Sequence, residues 1–324
     1  MAKPTIEIWL ELETRCNLQC KFCYNFWKDG SARAPERLGT GELIRGLDSL
    51  LGAVECRALA VSGGEPLLRE DLFDILACLR ARSVPVALAT NALLLDGQKI
   101  RRLMGAGVAT FQVPLHSADE VMHDALCGAP CWKKTIAAIV MLKEAGAHAV
   151  AVFVATRLNL EHFIEVLELC SLLGLKEVIF NRFVPGGLGV LNQNVIGVPE
   201  ERELAEVLGA ANARARSLGM LIHLGVPVAL PGSERGRYDR LVTSSCPVGA
   251  AQSKWTVDCA GSIRRCNHTG QSIGNLLDGG IEKLLDELRA PGGSVLPSEG
   301  VRPCHFLGGG GLLQLRRDQP LRPA

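Results

Sequence analysis

Residues 6–26 read IEIWLELETRCNLQCKFCYNF. The opening IEIWLEL is an apolar, strand-like run, and Cys16, Cys20 and Cys23 follow it directly as C-x3-C-x2-C. Three closely spaced thiolates suit an iron–sulfur cubane. Three protein ligands for four irons leave one iron open, and an open metal position is what catalysis needs. Zinc fingers close four ligands, and no fourth cysteine stands nearby in C-x2-C relation, so a structural zinc site fits poorly.

The bulk numbers frame this site. A chain of 324 residues accommodates one large α/β domain plus a smaller appended one, and an apolar fraction of 48% supports a sizeable core. With 35 basic and 34 acidic residues and no basic block, nucleic acid is not expected as a partner. No uncharged apolar run reaches the roughly 18 residues of a membrane span. The start, MAKPTIEIWLELE, lacks a signal-peptide pattern and runs straight into a strand. Twelve cysteines without a secretion signal read as thiols and metal ligands of a reducing, cytoplasmic compartment.

Outward from the cysteines, strands alternate with helices. Strand-like runs cover 6–12, 57–61, 84–89, 108–113, 150–154 and 178–183, and helix-like runs 40–51, 70–82, 96–105, 133–144 and 160–173. Several helices end at glycine, as at Gly146 and Gly174. This alternation implies a parallel sheet covered on both faces, and six such units make a partial barrel. The pattern changes near Pro185: VPGGLGVLNQNVIGVPEE, 184–201, reads as a long loop, followed by a helix over 200–218 and a strand over 220–224. Residues 226–245 read as irregular, and 246–304 carry a second set of cysteines. The expected division is therefore a core over 1–225 and a cysteine-rich domain with its tail over 226–324. Cys56, Cys78 and Cys170 fall in apolar patterns and read as inert core thiols.

The C-x3-C-x2-C spacing, with aromatic Phe22 before the third cysteine, resembles the signature of the radical S-adenosylmethionine (radical SAM) enzymes. The resemblance covers about residues 5–185 and implies a partial (β/α)6 barrel of TIM type. Ser62-Gly63-Gly64-Glu65-Pro66 follows the second strand, where the family binds the amino group of the methionine moiety. Thr90-Asn91-Ala92 is similar to the family's Thr-Asn-Gly, with Ala92 in place of glycine. Asn91 then lines the methionine carboxylate or ribose, or is an ordinary turn residue. The fourth strand ends VPLHSAD, where relatives often have Ser-Leu-Asp, so His116 and Ser117 stand as replacement partners for the ribose or as solvated residues. Thr156 occupies another position where relatives contact the cofactor. Arg157 and Arg182 stand near strand ends, either facing a ligand carboxylate or lying on the surface. Cys127 and Cys131, in CGAPCW, read as structural. The resemblance implies a [4Fe–4S] cluster on Cys16, Cys20 and Cys23 that reductively cleaves S-adenosylmethionine. It also implies a reductase partner of the flavodoxin or ferredoxin kind.

Cys246, then Gly261-x4-Cys266, then Cys304 resembles the C-terminal extension called SPASM, or its short form called twitch, which holds auxiliary iron–sulfur clusters. The resemblance makes Cys246, Cys266 and Cys304 ligands of one auxiliary cluster. Leu307 stands where a further cysteine is expected and no cysteine follows, so a second auxiliary cluster is lost. An open iron, or completion of the set by Cys259 or His305, remain the two readings. The substrate implied is a ribosomally made peptide that is crosslinked or oxidised. The alternatives are a small-molecule or cofactor precursor and, in a different class, a non-catalytic electron carrier. The last would leave Gly63, Gly64, Glu65 and Pro66 without a purpose.

Overall fold

The IEIWLEL run becomes the strand β1, Thr5–Glu13. Ile6, Ile8, Leu10 and Leu12 are fully or almost fully buried in the main core. The period-2 alternation of a strand sends Glu7, Trp9, Glu11 and Glu13 to its other face. The computed structural model describes residues 3–30, 33–231, 237–243, 253–268, 270–277, 281 and 284–286. Cys246, Cys304, His305 and Leu307 lie outside the described residues.

Helices and strands then alternate: α1 Thr40–Ala53, β2 Glu55–Gly63, α2 Leu72–Ala81, β3 Val86–Ala89, α3 Gly97–Gly105, β4 Val108–Pro114, α4 Glu120–Cys127, α5 Trp132–Glu144, β5 Ala149–Ala155, α6 Phe163–Leu172 and β6 Glu177–Arg182. The chain continues through α7 Leu188–Ile196, α8 Glu201–Leu218, β7 Leu221–Leu224, β8 Leu241–Val242, β9 Ser253–Asp258, β10 Ser262–Arg264 and β11 Gly274–Asn275. The strands form one 11-stranded sheet in the order β11-β10-β9-β1-β2-β3-β4-β5-β6-β7-β8. From β1 to β8 every pairing is parallel. Parallel neighbours need crossovers, and the helices supply them while covering the sheet. The result is the expected α/β partial barrel, left open.

Several expectations change. The segment 184–201 is not a long loop, because its middle forms α7 between Gly187 and Gly197, both at positive φ. The run over 160–173 is split into a 3-10 turn, Leu160–His162, and α6. Residues 226–245 are not wholly irregular, since β8 pairs with β7. α4 carries start and stop signals of its own: Asp119 accepts from Met122 N at 2.8 Å, and Gly128 ends it in the left-handed conformation. Cys170 is buried and half-buried Cys56 packs against the main core, but Cys78 is half-buried with its Sγ 3.5 Å from Asp48 Oδ1, so the reading as a core thiol fails for Cys78.

The sheet runs across the expected boundary at 225/226. β9 lies parallel to β1, pairing Ile6 with Ser253 through Glu11 with Asp258. β10 and β11 complete an antiparallel meander. Glu11 and Arg264 form an ion pair under this hairpin, each side chain 1% exposed. Among the described residues no single helix is long and apolar enough to cross a membrane. α4 and α5 pass such a test only as a pair bent by 99°.

Candidate active site

Cys16, Cys20 and Cys23 lie on the loop that leaves the C-terminal end of β1. The loop is fixed by its backbone. Glu13 accepts from Thr14 N (2.9 Å), Arg15 N (3.0 Å) and the Arg15 guanidinium (2.8 Å). Burial alone would raise the Glu13 pKa, but these Arg15 and amide bonds hold it below the usual carboxylate range. Farther along, Lys21 N donates to Leu126 O (2.9 Å), at the end of α4, and Gly189 N donates to Cys23 O (3.0 Å), from α7. Two glycines permit this crowding. A Cβ on Gly64 would strike Arg15 O, and one on Gly187 would strike Asn25 O.

The three cysteines are free and half-buried. Burial raises the Cys16 thiol, and raises Cys23 to about 11, against the opposing Lys28 charge. Neutral thiols of this kind lose their protons when metal binds. Asn91 Nδ2 approaches Cys16 Sγ at 3.9 Å and Asn17 Oδ1 at 2.7 Å, so the third strand's end touches the cysteine loop.

Glu65 is fully buried. Its Oε1 accepts from Leu67 N (3.0 Å) and the Thr90 hydroxyl (2.7 Å), and its Oε2 accepts from Asn91 N (2.8 Å). Burial raises its pKa and these three donors oppose the rise. Glu65 therefore clasps the β2 and β3 turns and keeps acceptor capacity on Oε2 for one more donor. Pro66 is buried at the start of the 3-10 turn that follows.

His116 is 1% exposed at the end of β4. Its Nδ1 accepts from Val154 N at 3.2 Å, and its ring meets Phe22 edge-on at 4.4 Å. Burial, then the neighbouring His123, holds its pKa well below the usual value. A neutral ring with Nδ1 accepting carries its proton on Nε2. That buried donor has no partner among the described residues, nor do Ser62 Oγ and Asn25 Oδ1. Orphaned buried polar atoms call for a partner. Three thiols beside a glycine cradle, with polar atoms left over, fit a cubane and a polar cofactor.

Other expected contacts are already engaged. Ser117 Oγ accepts from Asp119 N at 3.0 Å, ahead of α4. The Thr156 hydroxyl donates to Asn159 Oδ1 at 2.8 Å. Arg157 pairs with Glu200, and buried Arg182 pairs with Glu201. Cys259 is buried, its Sγ 3.6 Å from Pro35 O. Cys266 follows β10 and accepts from His268 N at 3.4 Å. The His268 ring lies 4.8 Å from Tyr24, the residue after Cys23, so the hairpin touches the cysteine loop. Sequence reasoning missed Asn25, whose Nδ2 donates to Gly63 O at 2.9 Å.

The model of the radical SAM superfamily matches residues 10–170. The chain belongs to the radical SAM superfamily. It is 30% identical over 225 residues to a PqqA peptide cyclase of Granulibacter bethesdensis, covering 68% of this chain and 58% of that protein. It is 32% identical over 202 residues to an AdoMet-dependent heme synthase of Methanosarcina barkeri, covering 62% and 57%. The chain thus spans little more than half the length of these curated relatives. Among solved structures, Streptococcus suis SuiB bound to S-adenosylmethionine superposes with a TM-score of 0.67 at 18% identity, over 88% of this chain and 65% of that one. The last likeness carries the fold alone. The matched span runs from β1 into α6 and holds the cysteine loop, the Glu65 clasp and His116 of this radical SAM core.

Proposed function

We propose that this chain is a radical SAM enzyme of the cytoplasm that acts on a ribosomally made peptide, by crosslinking or oxidation. One observation carries the catalytic part: three half-buried thiols on one loop beside a cradle that leaves Asn25 Oδ1, Ser62 Oγ and His116 Nε2 without a partner among the described residues. Cys16, Cys20 and Cys23 would hold the [4Fe–4S] cluster. When bound, cluster and S-adenosylmethionine together supply one-electron cleavage to a 5′-deoxyadenosyl radical that takes hydrogen from substrate. The protein's own part is binding, orientation and exclusion of water. Gly63 and Gly64 let the β2 turn close on the cofactor, Glu65 Oε2 accepts from its ammonium group, and Thr90 and Asn91 hold Glu65 in place. His116 Nε2 donates to a ribose or adenine acceptor, and Phe22 packs beside it. Ser117 and Thr156 shape the strand ends. A flavodoxin- or ferredoxin-type reductase supplies the electron.

The similarity to a PqqA peptide cyclase supports the peptide. A second reading, a tetrapyrrole or other small molecule, draws on the comparable identity to an AdoMet-dependent heme synthase. The test is anaerobic reconstitution with iron and sulfide, then S-adenosylmethionine and dithionite. The probe is the peptide from any short open reading frame beside the gene. A product lighter by hydrogen, with 5′-deoxyadenosine formed in step, supports the peptide reading. Stimulation by a porphyrin and not by the peptide overturns it.

Glu65→Gln removes one acceptor and points an amide N–H at a donor already in place. Loss of a charge-assisted bond is worth about 1.5–3 kcal/mol, so the Kd for S-adenosylmethionine rises by about one to two decades. Equilibrium dialysis with the cleavage-inert cofactor checks this; an unchanged Kd refutes the role.

Cys246, Cys266 and Cys304 are proposed to hold one auxiliary cluster in a twitch- or SPASM-like domain. The docking of Cys266's hairpin against the cysteine loop supports this. Fully reconstituted protein then carries about eight irons, the content of two four-iron cubanes. The Cys16/Cys20/Cys23 triple variant keeps about half, and a further Cys266→Ala removes most of the rest. Iron analysis that finds none in the triple variant sinks the auxiliary site.

A further inference from the structure

Behind the cysteine loop, outside the cofactor cradle, lies a line of sulfur atoms. Cys20 packs against Cys127 and Cys131, and the Sγ atoms of Cys127 and Cys131 lie within 4.8 Å of each other. Cys127 is 1% exposed and Cys131 2%, and both pack with Leu18, Cys16 and Cys20 in one small core. Cys127 ends α4 and Cys131 stands just before α5. Asp124 Oδ1 clamps the short connection between them, accepting from Cys131 N (2.9 Å) and Trp132 N (2.8 Å).

His123 closes the line, its Nε2 3.5 Å from Cys127 Sγ. The ligand atoms of His123, Cys127 and Cys131 lie within 4.8 Å of one another, a spacing that a metal could use. The ring's tautomer argues otherwise. His123 Nδ1 accepts from His116 N at 3.2 Å, so a neutral ring carries its proton on Nε2, and Nε2 faces Cys127 Sγ at 3.5 Å. A nitrogen that bears a proton donates to sulfur and has no lone pair for a metal. The set is therefore two thiols with an N–H donor, in contact with a third thiol that is only half-buried.

We propose that Cys127 and Cys131 are a resolving thiol pair that returns an oxidised Cys20 to the thiol form. The oxidant is a hydroperoxide, here hydrogen peroxide, which reaches Cys20 first because Cys20 is only half-buried whereas Cys127 and Cys131 are almost fully buried. Once peroxide has stripped the cluster from the loop, Cys20–SH and a further H2O2 give Cys20–SOH and water. Cys127–SH then condenses with it, forming the Cys20–Cys127 disulfide and releasing a second water. The Cys131 thiolate attacks Cys127 Sγ, forming the Cys127–Cys131 disulfide while Cys20 leaves as thiolate and takes the proton given up by Cys131. The net change is two thiols plus H2O2 to one disulfide plus two waters. The loop cysteine is left reduced and free to rebind iron, a consequence that rests on the proposed role of Cys20 as a cluster ligand.

The experiment uses the full reconstituted chain, exposed to a few equivalents of hydrogen peroxide, alkylated and mapped by peptide mass spectrometry. Wild-type protein is expected to carry a Cys127–Cys131 disulfide with Cys20 alkylated. In Cys131→Ser the Cys20–Cys127 disulfide accumulates instead. In Cys127→Ser, Cys20 proceeds to the sulfinic acid, and a second reconstitution recovers several-fold less iron than in peroxide-treated wild type. Wild-type protein with both Cys127 and Cys131 alkylated and Cys20 over-oxidised overturns the proposal, and this reading needs no variant to fold. So does a Cys131→Ser protein with a native circular dichroism spectrum but no Cys20–Cys127 bond. A disulfide that forms without recovery of iron overturns the resetting role. Failure of the untreated enzyme to cleave S-adenosylmethionine bears only on the proposed function.

Discussion

Replacing Cys16, Cys20 and Cys23 together with alanine abolishes 5′-deoxyadenosine production under dithionite and leaves the chain folded. Loss is total because the three thiols are the ligands proposed for the cluster and no histidine or carboxylate on the loop can replace a thiolate on iron. Folding survives because the loop is held by groups the substitutions do not touch. Lys21 N on Leu126 O and Gly189 N on Cys23 O are backbone bonds, and Glu13 anchors the loop's start. Chromatography of the nucleoside and a thermal melt read the two halves separately. Undiminished nucleoside refutes the ligand assignment; a collapsed melt refutes the claim that the backbone holds the loop.

Arg264→Met carries the largest cost in stability, about 3–5 kcal/mol, because it strands the Glu11 carboxylate where water cannot reach it. Glu11 and Arg264 are both 1% exposed, and Asp258 stands beside Glu11 across β9. Burial raises the Glu11 pKa to about 7 from 4.5, with Arg264 pulling down and Asp258 pushing up. A carboxyl raised in the folded state binds its proton more tightly there than in the unfolded chain. Its contribution is full below the unfolded value and is lost as pH rises through the folded one. Removing Arg264 raises the folded value further. The variant is therefore hurt least at pH 5, where Glu11 takes up a proton, and most at pH 8. Urea melts at the two pH values test this; an equal loss at both shows that Glu11 is not the group left stranded.

Much of this was readable from local sequence. The strands of the core are short apolar runs between glycine stops, and the thiols, Gly63-Gly64-Glu65-Pro66 and Thr90-Asn91 stand at strand ends because a parallel α/β sheet puts its chemistry there. What escaped reading was long-range or offset by glycine. Helix α7 was hidden by Gly186, Gly187 and Gly189, whose work is close approach to Tyr24, Asn25 and Phe183. Helix α4 was legible in Asp119 and Gly128, but the contact of its last cysteine with Cys20 was not, since about a hundred residues separate the two. Nor does any local pattern announce that β9 pairs with β1.

That pairing bears on the order in which the protein is made. β1 leaves the ribosome before the other described strands of its sheet, yet one of its two neighbours is residues 253–258. Until that segment emerges, the nascent barrel carries β1 as a bare edge, with Ile8, Trp9 and Leu10 in the row that other strands could template on. The burial of Glu11 is also deferred, because Arg264 arrives later still. A charged, hydrated Glu11 guards the open edge during synthesis. The same residue becomes a liability to be neutralised only when the hairpin closes over it.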